Sequence, residues 1–171
     1  HCFFGFKDDR DVALVNYIAR VRYKDLEREY LPFEYLISGL SIPLLYSFLS
    51  EGQRACGLSG KQIFQKCLEK DPVAIETVKY FLALLGQFVH QTAICFLPEQ
   101  IVLRGPVVDS LREVLAVMPE LKWSFWRSLL AKSHMSSAYQ NLTVFTVREQ
   151  FNLSALGAVI MFAEKCGVDA D

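Results

Sequence analysis

The stretch PVAIETVKYFLALLGQFVHQTAICFLPEQIVLRGP, from Pro72 to Pro106, decides how the rest of the chain is read. From Pro72 to Leu97 the residues are mostly apolar, and Glu76, Lys79, Gln87 and His90 fall on helical multiples of one another. This predicts a nearly buried helix with one narrow polar stripe. Asp71 can accept a backbone N–H as N-cap, and Pro72 suits the first helical position. Pro98 helps to stop the helix. Ile101-Val102-Leu103 then runs apolar without alternation, the pattern of a strand covered on both faces by helices. Gly105 and Pro106 end it. Helix, buried strand, glycine turn and helix in succession predict an α/β layer with helices flanking a sheet. Ligands of such sheets sit beyond the carboxyl ends of the strands, so the Arg104-Gly105-Pro106 turn is the first place to look for a site.

Upstream of this unit the chain reads mostly helical. His1 to Phe6 is a short aromatic strand, and Asp9 or Asp11 begins a helix with Leu14, Val15, Ile18 and Val21 at helical spacing. Lys24 to Tyr30 is a charged connection. Phe33 to Leu49 is helical, with Tyr35, Leu36, Leu40, Leu44, Leu45 and Phe48 as its buried side. Gly39, Ser41 and Pro43 predict a kink or a break within it. After a loop from Glu51 to Gly57, Ser59-Gly60-Lys61-Gln62 fits a capping box that opens a short helix with Ile63, Phe64 and Leu68. Gly60-Lys61 is not a phosphate loop, because Ala55 and Gln62 stand where that motif needs Gly and Ser or Thr.

Downstream, Val107 to Val117 is an amphipathic helix with Val108, Leu111, Val114 and Leu115 on one side, and Pro119 closes it. Trp123, Phe125, Trp126, Leu129 and Leu130 crowd into the next helix as packing residues. His134 to Tyr139 reads as a turn or an irregular helix. Leu142 to Val147 has strand character. A final helix from Leu153 to about Cys166 carries Leu156, Val159, Ile160 and Ala163 at helical spacing.

The 171 residues fit one domain or two small lobes, and a hydrophobic fraction of 52% allows a substantial core. A formal net charge of −1 argues against a nucleic-acid binder, whose affinity needs concentrated positive charge. Gln87, His90 and Gln91, and the lack of basic flanks, favour a buried soluble helix over a membrane span between Tyr80 and Leu97. Five cysteines, Cys2, Cys56, Cys67, Cys95 and Cys166, have no short paired spacing and read as reduced core residues of a cytoplasmic protein. The chain has no initiator Met and opens within a strand-like stretch, which reads as a fragment.

Three places resemble the bacterial-type glucokinase family. His1, followed by an aromatic strand and an acidic helix, looks like the end of the family's Glu-Gly-Gly-His segment. Glu34-Tyr35-Leu36-Ile37-Ser38-Gly39 is similar to its Glu-x-x-x-Ser-Gly stretch at a helix start. Gln100 to Pro106 lies where the family has a strand ending in Gly-Gly, and Asn152-Leu153-Ser154-Ala155-Leu156-Gly157 where it has Asn-Pro-Gly-Leu-Leu-Gly. The resemblance covers nearly all of residues 1–171, as the C-terminal domain of such a protein without its N-terminal lobe. It implies a helix-rich actin-like (ribonuclease-H-like) ATPase lobe, with a sheet flanked by helices.

It also implies that His1 and Glu34 contact sugar hydroxyls, and that Arg104, Gly105, Asn152 and Gly157 border the nucleotide. A carboxylate suits the sugar task because both of its oxygens accept. The implied activity is ATP-dependent phosphorylation of glucose or a similar hexose, with Mg2+, and with the catalytic aspartate in the missing lobe. The chain by itself would then be inactive. Arg104, Pro106 and Ser154 depart from the family's glycine pattern and motivate an alternative, a sugar-kinase-like binding or regulatory protein without catalysis. A third reading is a helical interaction domain that forms a homodimer through the Trp123 to Leu130 helix.

Overall fold

The structure is a computed structural model that describes residues 9–22, 32–51, 57–130 and 142–146. Its elements are helices α1 (Asp9–Arg22), α2 (Glu34–Ile37), α3 (Ser41–Leu49), α4 (Gly60–Leu68) and α5 (Pro72–Phe96), then strand β1 (Gln100–Leu103), helix α6 (Pro106–Val117), a single 3-10 turn (Pro119–Leu121), helix α7 (Lys122–Leu129) and strand β2 (Thr143–Thr146). The result is a helix-rich α/β arrangement around a small parallel sheet. The strand predicted at the chain start, the charged connection after Arg22, the irregular stretch from His134 and the final helix lie outside the described residues.

The long apolar stretch forms one helix with the expected ends. Asp71 Oδ1 accepts from the amides of Val73 and Ala74 at 2.9 and 3.0 Å, which satisfies two of the four orphan donors at the helix start. At the other end Leu97 takes φ 45° in the left-handed region, and its N–H donates to the Ala93 carbonyl at 2.9 Å. That residue reverses the chain, and Pro98 prevents continuation. Helices α2, α3, α4 and α7 pack around α5. Val78, Phe81, Leu84 and Val89 are almost wholly buried among them. By length and composition α5 would also cross a membrane; here half of its most apolar window is buried inside the protein.

The polar stripe on α5 is shorter than its spacing predicts. Lys79 is exposed, but His90 is buried, and its Nδ1 lies 2.7 Å from the Leu129 carbonyl. A carbonyl only accepts, so Nδ1 carries the proton. The carbonyl belongs to the last turn of α7, where no intrahelical partner exists. One helix pitch earlier, a Cβ on Gly86 would stand 2.4 Å from the Phe125 carbonyl oxygen. Glycine at this point is what lets the backbones of α5 and α7 touch.

Helix α1 buries Leu14, Val15 and Ile18 as its spacing predicts, but Ala19 replaces Val21 in the core, and Val21 is exposed. Asp11 is buried as well and accepts from Tyr80 Oη at 2.6 Å, while Arg10 stacks over the same ring and faces Glu76. The capping box at Ser59 and Gln62 is complete. The predicted interruption is a break between α2 and α3, and it leaves Leu40 exposed between the two helices instead of buried. On α7 Phe125 and Leu129 pack inward, whereas Trp123 is 75% exposed, so the packing reading holds for only part of the aromatic cluster.

Among the described residues, strand β1 is covered on one face and not on both. Ile101 and Leu103 point to the core and Gln100 and Val102 are exposed. Parallel pairing in register sets Val102 beside Phe145 on the outer face and Ile101 beside Val144 on the inner one. Among the described residues the helices line one side of the sheet, which explains the alternation.

Of the cysteines, Cys67 on α4 is buried and Cys95 near the end of α5 is exposed, which corrects the reading of all five as core residues. Burial, and secondarily the nearby Asp71 carboxylate, push the Cys67 thiol up from 9.0 to about 11. The protonated thiol therefore favours the folded state fully below about pH 9, and that contribution is lost as pH rises through 11. Alkylation at pH 8 followed by peptide mapping should label Cys95 rapidly and Cys67 only on unfolding; equal labelling of the two would contradict the core position.

Gly86→Ala gains up to about 1 kcal/mol of intrinsic helix propensity yet forces α5 and α7 apart. We expect a net destabilisation of about 1–3 kcal/mol in urea unfolding. An unchanged or raised midpoint would mean that the two helices do not meet there.

Candidate functional site

Two adjoining strands that run parallel deliver their following turns to the same edge of the sheet. Leu103 stands opposite Thr146, so the Arg104-Gly105-Pro106 turn and the chain leaving β2 emerge together. Gly105 has φ 115° and ψ 170°, a region open essentially to glycine alone. Pro106 occupies the first position of α6, where a missing N–H is tolerated. Arg104 and Pro106 are exposed on either side. The space where a Cβ on Gly105 would project is open, with no atom within 4 Å.

The α2–α3 break comes up to this turn from the other side. Ser41 Oγ is within 2.7 Å of the Leu36 carbonyl and 2.6 Å of the Ser38 carbonyl, which holds the Ser38-Gly39-Leu40 turn against the start of α3. A Cβ on Gly39 would meet Val107 Cγ2 at 3.1 Å, so the turn rests directly on the first turn of α6. Ser38-Gly39 and Arg104-Gly105-Pro106 thereby line one cavity of about 340 Å³, floored by apolar side chains of α5 and α6 that include Phe88 and Leu111.

Glu34 is the first residue of α2, exposed, and one turn before Ser38; it is not part of the cavity wall. Phe33, buried and 5.6 Å from the Phe88 ring, anchors that helix start to α5. His1, Asn152 and Gly157 lie outside the described residues. Sequence reasoning missed Ser41 as the holder of the turn and Asp109 altogether. Asp109 sits in the first turn of α6, and its Oδ1 is buried without a hydrogen-bond partner. An acid there reads simply as a complement to the helix dipole, so nothing in the sequence marks it.

The open backbone at Gly105 fits the close approach of a nucleotide. No group of three or more His, Cys, Asp or Glu side chains placed to hold a metal ion occurs among the described residues.

Solved glucokinases share this fold. The structure from Balamuthia mandrillaris, described as a complex with glucose, matches with a TM-score of 0.73 at 15% identity, covering 93% of this chain and 44% of that one. Glucokinase from Leishmania braziliensis matches with a TM-score of 0.73 at 22% identity, covering 92% and 41%. The architecture is thus one that these glucokinase structures share. The family model Glucokinase matches residues 1–165, and the chain belongs to that family. A curated relative, the bifunctional protein glk of Paraburkholderia xenovorans, is 25% identical over 169 residues, which are 96% of this chain and 25% of that protein. The chain spans a quarter to less than half the length of these relatives.

Gly105→Ala introduces no clash, so its cost isolates the backbone strain, about 1–3 kcal/mol. The melting temperature should fall accordingly. A neutral substitution would show that the turn adopts another conformation in solution.

Proposed function

We propose that this chain is the sugar-binding, actin-like lobe of a cytoplasmic glucose kinase that uses ATP and Mg2+. The observation that carries the reading is the cavity joining Ser38-Gly39 to Arg104-Gly105-Pro106, two of the three stretches in which the sequence resembles glucokinases. Glu34 would accept hydrogen bonds from two neighbouring sugar hydroxyls, with His1 beside it; an ionised carboxylate is acceptor-only and forms the stronger, charge-assisted kind. Gly105 would form one wall of the nucleotide cleft, with Arg104, Asn152 and Gly157 around it. ATP supplies the phosphoryl group and magnesium neutralises its developing charge. The aspartate that takes the hydroxyl proton belongs, in the family, to the part that this chain does not span.

A second reading has one specific motive: Arg104 and Pro106 flank Gly105 where the family pattern calls for small residues and free donors. In that case the protein binds sugar without transferring phosphate. ATP should raise the melting temperature of the full-length protein under the first reading and leave it unchanged under the second.

The direct test is a coupled ADP-release assay on the protein at the length of its relatives, with glucose, ATP and magnesium, beside Glu34→Ala. Losing charge-assisted hydrogen bonds should weaken glucose binding roughly ten- to a hundredfold. Turnover with an unaltered KM for glucose in the variant would remove Glu34 from the sugar site, and absence of turnover with retained glucose binding would favour the second reading.

A further inference from the structure

Ser41 is the first residue of α3 and is only 1% exposed. Its backbone N–H donates to the Ser38 carbonyl at 3.0 Å, and its Oγ lies 2.7 Å from the Leu36 carbonyl and 2.6 Å from that of Ser38. Carbonyls only accept, so the hydroxyl is the donor, with one proton for two oxygens. The Ser38 carbonyl keeps the backbone N–H in any case. The Leu36 carbonyl, in the last part of α2 where intrahelical donors run out, is served by the hydroxyl.

Glu34 stands at the other end of the same helix. A helix of one turn is not held by its own hydrogen bonds, so its direction is set from outside. Phe33 and Leu36 bury it against the core, but apolar contact is non-directional and permits tilting. A hydrogen bond is directional. Another tie to the break, from Arg22 Nη1 to the Leu40 carbonyl, is longer, at 3.4 Å, and exposed. Four helical residues span about 6 Å, so a tilt of about 10° about one end moves the other by roughly 1 Å. A displacement of that size at a positioned group can cost up to about a hundredfold.

We propose that the Ser41 hydroxyl is a positioning group for the sugar site: by tying the end of α2 to the start of α3 it sets where the Glu34 carboxylate stands, without itself touching the sugar. This rests on the sugar contact proposed for Glu34. It extends that site to a buried residue beyond the Glu34 to Gly39 stretch.

Glucose binding to the protein at the length of its relatives, measured by calorimetry, tests this without requiring turnover. Ser41→Ala should weaken binding roughly three- to tenfold. Ser41→Cys, which keeps the size but is a weaker donor, should weaken it less. In a Glu34→Ala background Ser41→Ala should have no further effect, because a residue that acts through another is not additive with it. Ser47→Ala removes another buried hydroxyl of α3, the one that accepts from Tyr17 Oη at 2.8 Å; it should lower the melting temperature and leave glucose binding unchanged. A Ser41→Ala protein with unaltered affinity, or one that loses the same factor with and without Glu34, would overturn the inference while leaving the role of Glu34 intact. Unaltered affinity in Glu34→Ala alone, or no glucose binding by the parent protein, would overturn that role and the inference together.

Discussion

The contact on which this fold depends is the one between α5 and α7. A helix that is apolar on nearly every side has to be enclosed, and among the described residues four helices make most of the contacts that do so. The first three approach through ordinary side-chain packing. The fourth comes closer, because Gly86 removes the side chain that would hold the Phe125 backbone away, and His90 then supplies a proton to the last-turn carbonyl at Leu129. Burying that carbonyl without a donor would cost about 1–3 kcal/mol. The histidine is therefore part of the packing solution and is not a polar stripe residue facing water.

Fixing α7 fixes what lies on either side of it. The connection from β1 through α6 and α7 returns the chain to β2, parallel and in register with β1. Parallelism is what matters for function, since it sends both strand ends to one edge. The turn at Gly105 and the break at Gly39 meet at that edge for related reasons. One needs a backbone angle that a Cβ penalises, and the other needs the space a Cβ would take from Val107. Sites in α/β sheets form where such turns converge.

Much of this was legible in the residues. Asp71-Pro72, Ser59 with Gln62, and Gly105-Pro106 announced their caps and turns because local chemistry sets local geometry. The break before Ser41 followed from Gly39 and Pro43 in the same way. What was not legible depends on partners distant in sequence. Nothing in the spacing of α5 separates a histidine that meets solvent from one that meets Leu129. An uninterrupted apolar run such as Ile101-Val102-Leu103 does not say which of its faces a helix will cover. Val21 and Leu40 obeyed helical spacing and still ended exposed, since burial is decided by the neighbouring element. Of the candidate site, Glu34, Arg104 and Gly105 could be placed on elements from sequence, but the cavity between Ser38-Gly39 and the Gly105 turn required the fold. Asp109 gave no signal, because an acid in a first helical turn has an ordinary explanation.

Among the described residues the departures from the family's glycine pattern lie at the Gly105 turn. There they are absorbed by the backbone. Gly105 keeps the one angle that needs glycine, Pro106 occupies a position that favours proline, and Arg104 is exposed. The turn is thus cationic on one side of Gly105 and rigid on the other. A phosphate-bearing ligand meeting this edge would encounter an added guanidinium, a donor set that matches phosphate oxygens, in place of bare backbone. The physical consequence falls on ligand preference before it falls on folding.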